Sequence, residues 1–168
     1  MGEQDEDFSD DVEAAAFYAS LPATRGAAGA VIRSGRGEVM LVRRAYGARD
    51  WGVPGGIIED GESPLAACRR ELYEELDVRA HVLGPAVVDW VPARAPRTAA
   101  VQWLFHVAAP DEADIRLPAE ELTEWAWVAP EDLHDLLPSP TARRMVAALE
   151  VDPGRGPVYL EDGRPVFG

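Results

Sequence analysis

Apolar residues recur along the chain in two patterns, and the shorter pattern predicts strands. Runs of small and β-branched residues bounded by glycine and proline are typical of buried strands. The turn sequence Ser34-Gly35-Arg36-Gly37 separates the first two runs and predicts a hairpin between them. The strands predicted in this way are Ala27–Ile32, Val39–Val42, Val82–Val91, Ala99–Ala108 and Glu124–Val128.

The second pattern is helical and is clearest over Pro64–Leu76. Ser63 is a favourable N-cap and Pro64 suits the first helical position, so the helix is expected to begin there. Its apolar residues form one stripe that can face a core: Leu65, Cys68, Leu72 and Leu76. Further helices are predicted for Val12–Leu21, Pro130–Leu137 and Thr141–Leu149. Strands mixed with helices in one chain predict an α/β (α+β) sandwich.

Length and composition narrow the class of protein. The chain has 168 residues, enough for one domain with a sizeable core, and 47% of them are hydrophobic. No apolar run approaches the ~20 residues needed to cross a bilayer, and the acidic residues 1–11 do not resemble a signal peptide. We therefore expect a soluble, cytoplasmic protein with no membrane partner. Cys68 is the single cysteine, so no intrachain disulfide can form.

The net charge argues against one class of partner. Acidic residues outnumber basic ones by 30 to 16, which gives a net charge of -14. Such a surface repels phosphate backbones, so a nucleic acid duplex is not expected as a partner. A small anionic substrate stays compatible with this charge, provided that metal ions and arginines reverse the potential in one cleft.

The face of the Pro64–Leu76 helix opposite its apolar stripe carries three carboxylates, Glu71, Glu74 and Glu75. Like charges at this spacing disfavour an isolated helix by about 0.2–0.5 kcal/mol per pair, and the helix dipole disfavours anions near a C-terminus. A compensating cation is therefore expected. Solvent and neighbouring arginines are one compensation, and a divalent ion, Mg²⁺ or Mn²⁺, bound by the carboxylates is the other.

The residues before this helix favour the divalent ion. Gly56, five residues, Glu62, seven residues and then Arg70–Val78 resemble the Nudix box, G-x5-E-x7-R-E-U-x-E-E-x-G-U, where U is an apolar residue. Every fixed position matches except the last glycine, which is Asp77 here. Aspartate also visits the left-handed conformation that closes a helix, so the helix is expected to end in the same place.

The resemblance extends beyond the box and implies an architecture. Leu41–Arg44 and Trp51–Gly56 resemble the strand and loop that enter the box in the family. The implied fold is the Nudix fold, a mixed β-sheet sandwiched between helices, over residues 25–150. Residues 1–24 are expected to be an acidic segment that is partly mobile or a short helix, and residues 151–168 a C-terminal extension that forms a hairpin. A homodimer is a possible form of the protein that the sequence neither requires nor excludes.

The resemblance also implies roles for the side chains of the box. Glu74 and Glu75 would be metal ligands, and Glu71 would be either a further ligand or the base that takes a proton from the attacking water. The carbonyl oxygen of Gly56 would add a ligand, because glycine allows a close approach of the backbone. Arg70 would orient the acidic side chains.

Residues outside the box are assigned from their position and chemistry. Glu120 and Glu121 lie in the loop where family sites often have a further acidic ligand, and Glu121 is included in the predicted metal site. Arg43 and Arg44 alternate on opposite faces of a strand, so one of them is expected to contact substrate phosphate. Trp51 joins them as a predicted substrate-binding residue that stacks on a base, with core packing as the other interpretation.

The function implied by the resemblance is metal-dependent hydrolysis of a pyrophosphate bond. The substrate would be a small nucleotide: a nucleoside triphosphate, ADP-ribose or a nucleotide sugar. Divalent ions would neutralise the polyphosphate so that water can attack it, and no covalent intermediate is required. The alternative is a catalytically silent, Nudix-like sensor that binds a nucleotide without turnover. Glu62 is expected to tie the loop to the helix rather than to perform chemistry.

Overall fold

The computed structural model describes residues 4–45, 47, 50–118 and 120–167, and for 4–10 it describes the backbone alone. The helices are α1 (Gln4–Ser20), α2 (Pro64–Leu76), α3 (Leu133–Leu136) and α4 (Ser139–Leu149). The strands are β1 (Arg25–Ile32), β2 (Val39–Arg44), β3 (Trp51–Gly52), β4 (Gly55–Ile57), β5 (Val82–Val91), β6 (Ala100–Val107), β7 (Leu122–Val128), β8 (Val158–Glu161) and β9 (Arg164–Pro165).

Within the described ranges the strands form two sheets. A six-stranded sheet has the order β4-β1-β6-β5-β8-β9, and a three-stranded sheet has the order β3-β2-β7. Parallel pairing joins β1 to β6 and β5 to β8, and the remaining neighbours are antiparallel. The predicted hairpin of the first two strands reduces to one bridge between Arg33 and Val39, because β1 and β2 belong to different sheets.

Helices cover both faces of the larger sheet, which confirms the predicted α+β sandwich. Successive side chains of a strand point to opposite faces, and β1 shows this alternation. Ala30 and Ile32 pack in one apolar cluster with Leu72 of α2. Val31 packs in a second cluster with Met145 of α4. Burying each large apolar side chain contributes about 1.5–3 kcal/mol, so both clusters stabilise the sandwich.

The boundaries of α2 are those that the sequence predicts. The hydroxyl of Ser63 accepts a hydrogen bond from the backbone N–H of Ala66 at 3.2 Å, and Pro64 occupies the first turn. At the other end Asp77 has φ 57°, in the left-handed region, and its N–H donates to the carbonyl of Tyr73 at 2.9 Å. Aspartate therefore closes this helix where the Nudix box has glycine.

The first helix begins earlier than the sequence predicts. We expected a helix over Val12–Leu21, whereas α1 begins at Gln4. The sequence before Val12 is rich in acidic residues, and such residues are favoured near the N-terminus of a helix. The expected mobile tail, 1–11, falls partly on residues 1–3, which lie outside the described residues. None of the helices in the described part of the chain is long and apolar enough to span a membrane.

A buried ion pair joins the C-terminal hairpin to the rest of the fold. Arg144 on α4 donates from Nε to Oδ2 of Asp89 on β5 at 2.6 Å, and the two residues are 4% and 0% exposed. The same carboxylate accepts the backbone N–H of Gly163 at 3.1 Å, in the turn between β8 and β9. One side chain of β5 thus connects a helix, a sheet and a turn.

Replacing Asp89 with alanine should destabilise the fold strongly. The substitution leaves the guanidinium of Arg144 buried without its partner, which costs about 3–5 kcal/mol. The free energy of unfolding in urea measures this loss. Asp152→Ala is the matched control, because it breaks an exposed pair with Arg155 at 3.9 Å and should change stability by less than about 0.5 kcal/mol. Equal losses in the two variants would contradict the assignment.

Candidate active site

Two carboxylates of α2 face the glycine loop that precedes it. The side chain of Glu75, 6% exposed, accepts a hydrogen bond from the backbone N–H of Gly55 at 2.8 Å. The carboxylate of Glu71 lies directly against Gly56, so that a Cβ atom on Gly56 would collide with it. The glycine is therefore required by this close approach, and it brings its backbone next to the acidic side chains.

Arg70 connects the loop to the acidic face of α2. Its Nε and Nη2 donate to the two carboxylate oxygens of Glu62, each at 2.9 Å. Its Nη1 donates to Oε1 of Glu71 and to Oε2 of Glu74, each at 3.0 Å. The structure thus confirms that Glu62 ties the loop to the helix. It also places Arg70 where it contacts two of the three predicted ligands.

Burial and neighbouring charges shift the pKa values of two acids at this place. Burial raises the pKa of Glu75 to about 7, although the hydrogen bond from Gly55 opposes the shift. Burial likewise raises the pKa of Glu71. The charge of Glu121 raises both pKa values further, whereas the charge of Arg44 lowers that of Glu75. Glu121 and Arg44 therefore act on the same site.

The donor chemistry of this cluster fits a hard divalent cation. Carboxylate and carbonyl oxygens are the ligands that Mg²⁺ and Mn²⁺ prefer, and a bound cation would offset the burial of Glu71 and Glu75. As the side chains stand, no three His, Cys, Asp or Glu residues of the described ranges are spaced to hold a metal ion. Glu71 and Glu74 instead direct an oxygen to Arg70.

A cavity of about 690 Å³ opens beside the glycine loop. Although the chain has a net charge of -14, the charged residues of this lining are mostly basic. The arginines of the lining are Arg25, Arg44, Arg94, Arg97 and Arg144. Asp89 neutralises Arg144 and Asp162 neutralises Arg94. The remaining arginines of the lining give this surface an excess of positive charge, which attracts an anionic ligand.

The predicted substrate-binding residues are separated by the structure. Arg44 and Trp51 line the cavity. Arg43 donates from Nη1 to Glu124 at 3.1 Å, and its guanidinium lies 6.0 Å from the ring centre of Trp51. Arg44 is the arginine of this pair whose charge acts on Glu75, and the register of β2 shifts between Arg43 and Arg44.

The local sequence did not identify several of the residues that line the cavity. Gln102 on β6 and Arg25 on β1 reach the lining through strand pairing between distant segments. Arg94 and Arg97 lie in the loop between β5 and β6, and a pair of arginines in a loop is the sequence signal that could have identified them. Glu120 and Glu121 are both exposed, and Glu121 is the acid of this loop whose charge raises the pKa values of Glu71 and Glu75.

Comparison with known proteins agrees with this geometry. The model of the NUDIX domain family matches residues 23–149. The chain therefore belongs to the Nudix family, and its fold and box are those of a Nudix hydrolase with pyrophosphohydrolase activity.

The chain is similar to RNA pyrophosphohydrolases of bacteria. The relative from Novosphingobium aromaticivorans is 32% identical over 139 residues, which cover 71% of this chain and 86% of the relative. The relative from Roseobacter denitrificans is 31% identical over 129 residues, or 65% and 79% of the two chains. Among solved structures, a UDP-X diphosphatase has a TM-score of 0.69 at 22% identity and covers 90% of this chain and 74% of its own, which supports the fold.

Glu75→Gln should abolish turnover and stabilise the metal-free protein. Because folding raises the pKa of this carboxyl from 4.5 to about 7, the stability associated with it is fully present below pH 4.5 and is lost as the pH rises through 7. Glutamine still accepts from Gly55 but carries no charge, so unfolding in EDTA at pH 8 should require about 1–3 kcal/mol more than in the wild type. Glu74→Gln, at an exposed position, should lose turnover without this gain. A destabilised Glu75→Gln variant would contradict the argument.

Gly56→Ala should disable the site while keeping the fold. The new Cβ collides with the carboxylate of Glu71 and displaces it. A displacement of about 1 Å in an active site lowers turnover by about 100-fold. Gly35→Ala is the control, because no atom lies within 4 Å of its added Cβ. Steady-state kinetics and circular dichroism of both variants check the expectation, and unchanged kinetics in Gly56→Ala would show that the contact is unimportant.

Proposed function

We propose that the protein hydrolyses the pyrophosphate bond of a nucleoside 5′-polyphosphate with the help of Mg²⁺ or Mn²⁺. The observation that carries the proposal is the buried carboxylate of Glu75 and the partly buried carboxylate of Glu71, which pack against Gly55 and Gly56 at an arginine-lined cavity. Buried acids with raised pKa values need a cation, and a polyphosphate needs the same cation to lose its own charge.

The ion would be held by oxygen atoms of the Nudix box. Glu74, Glu75 and the carbonyl of Gly56 are the proposed ligands, and of the two roles open to Glu71 we propose that of the base. Glu121 is proposed as a further ligand, since its charge raises the pKa values of Glu71 and Glu75. When bound, the ion supplies positive charge that neutralises the phosphates and makes the attacking water more acidic.

The side chains of the chain have distinct tasks in the proposed reaction. Arg44 binds a non-bridging phosphate oxygen and orients the polyphosphate. Water attacks phosphorus, its proton passes to Glu71, and the bond from phosphorus to the bridging oxygen breaks. Arg70 keeps Glu71 and Glu74 in place through its hydrogen bonds of 3.0 Å. Catalysis then rests on positioning and charge rather than on a covalent intermediate.

The substrate class is supported by the size of the cavity and by the relatives. A volume of about 690 Å³ is in the range that holds one small ligand, so a single nucleotide unit fits better than a duplex. Trp51 is proposed to stack on the base. The bacterial relatives are named RNA pyrophosphohydrolases, which favours a 5′-triphosphate, either free or at the end of an RNA chain, over ADP-ribose or a nucleotide sugar.

The proposal includes the organisation of the chain. Residues 25–150 form the hydrolase domain, residues 1–24 an acidic N-terminal segment and residues 151–168 an extension. We place the enzyme in the cytoplasm, where nucleotides and Mg²⁺ are available. A homodimer is proposed as its functional form, and exposed apolar side chains of the extension, Tyr159, Val166 and Phe167, offer a surface for it.

A panel of substrates tests the function. We expect the purified protein to release phosphate or pyrophosphate from ATP and from 5′-triphosphorylated dinucleotide in Mg²⁺ or Mn²⁺, with slower reaction of ADP-ribose and UDP-glucose. Mass spectrometry of products formed in ¹⁸O-labelled water identifies the phosphorus that is attacked. EDTA and the Glu75→Gln variant should both abolish release. Binding of these nucleotides without hydrolysis in either metal would favour the sensor alternative.

A further inference from the structure

The loop between β5 and β6 ends in a tight turn at the mouth of the cavity. The backbone N–H of Arg94 donates to the carbonyl of Arg97 at 2.9 Å, and the N–H of Arg97 donates to the carbonyl of Arg94 at 2.7 Å. Both side chains line the cavity that also contains Gly55 and Gly56. The turn therefore presents two guanidinium groups to the space that the substrate would enter.

The C-terminal hairpin anchors one side of this turn. The carboxylate of Asp162 accepts a hydrogen bond from Nη2 of Arg94 at 2.7 Å. The backbone N–H of Asp162 donates to the carbonyl of Trp90 at 2.8 Å, and its carbonyl accepts from Arg143 on α4 at 2.7 Å. Asp162 has φ 53° and its side chain is 19% exposed. This residue thus joins the turn to β5 and α4, and it lies beyond residue 149, where the family match ends.

The other side of the turn is anchored by β1. Nε of Arg25 donates to the hydroxyl of Thr98 at 2.8 Å, and its Nη2 donates to the carbonyl of Thr98 at 2.6 Å. With Arg25 and Arg94 engaged, Arg97 differs from both. Its side chain has no hydrogen bond or ion pair with any of the residues that the structure describes, although acids exceed bases in this chain by 30 to 16.

The turn and the acidic cluster are separated along β1. Gly56 pairs with Ala28, whereas the turn is held by Arg25, three residues earlier on the same strand. At the rise of a β-strand this separation is roughly 10 Å. This backbone separation exceeds the span of one pyrophosphate, which favours a contact between Arg97 and a phosphate beyond the cleaved linkage.

We infer that Arg97 binds a phosphate group of the substrate that lies outside the cleaved pyrophosphate, and that Asp162 is a positioning residue that holds the turn through Arg94. The inference rests on the proposed function for the placement of the pyrophosphate. A planar guanidinium matches the oxygens of a phosphate ester, and an anchored backbone lowers the entropic cost of the contact. The ligand class is a nucleoside 5′-polyphosphate that carries a further phosphate, in a 3′-phosphodiester or in a longer polyphosphate chain.

Binding measured in EDTA tests the site without hydrolysis. ADP carries the pyrophosphate alone, 5′-diphosphorylated ApA adds a phosphodiester, and diadenosine tetraphosphate adds phosphates in the chain. Arg97→Gln should weaken binding of one of the two larger probes about tenfold and of ADP by less than about twofold. The probe that responds identifies the source of the phosphate. Arg155→Gln, which removes an exposed charge outside the cavity, is the control and should leave all three affinities unchanged.

The positioning role of Asp162 has its own readout. Asp162→Asn should weaken binding of the responding probe as much as Arg97→Gln does. The double variant should bind this probe no more weakly than Arg97→Gln alone, because both substitutions remove the same contact, that of Arg97 with the phosphate. In Asp162→Asn, the KM for a substrate that the protein hydrolyses should rise about tenfold, while kcat should change less than about twofold. The Arg97→Gln variant is expected to fold normally, since the side chain of Arg97 is exposed.

Two results overturn the inference. One is unchanged binding of both larger probes in Arg97→Gln, and the other is an equal loss for ADP. Failure of the proposed function is distinguishable from either, because it is an absence of turnover in Mg²⁺ and Mn²⁺ whatever the affinities in EDTA. Additive losses in the double variant would show that Asp162 acts by another route.

Discussion

The guanidinium of Arg70 is the group on which the arrangement of the site depends. It binds both oxygens of Glu62 in the loop and one oxygen each of Glu71 and Glu74 on α2. The hydrogen bonds with Glu62 hold the pKa of Arg70 above its ordinary value. A permanent cation at this position fixes the loop to the helix and screens part of the repulsion between the carboxylates.

Glu75 is held by a different constraint. It is buried, and its hydrogen bond in the structure comes from the backbone of Gly55. Its burial therefore costs free energy in the absence of a cation, and this cost makes the carboxylate ready to bind one. The fold compensates elsewhere, in the two apolar clusters on either face of the larger sheet. Stability and binding are thus supplied by different parts of one small sandwich.

The sequence predicted the parts of the fold that local chemistry determines. The limits of α2 follow from Ser63, Pro64 and Asp77, and its acidic face follows from helical spacing. The site residues of the box keep their predicted roles as proposals, and the structure shows which of them are neighbours. What the sequence did not predict depends on contacts between distant segments. The pair of Asp89 with Arg144 joins positions 55 residues apart, and the assignment of β1 and β2 to separate sheets depends on which strands pair with each.

The parallel pairing of β8 with β5 has a consequence for any shortened form of the protein. β8 and β9 cover the side of β5 that β6 does not occupy. A chain cut after Leu149, at the end of the family match, would leave residues 87–90 of β5 without the strand with which they pair. An uncovered strand edge is a template for self-association, so the last segment protects β5 from aggregation and also supplies Asp162, which binds Arg94.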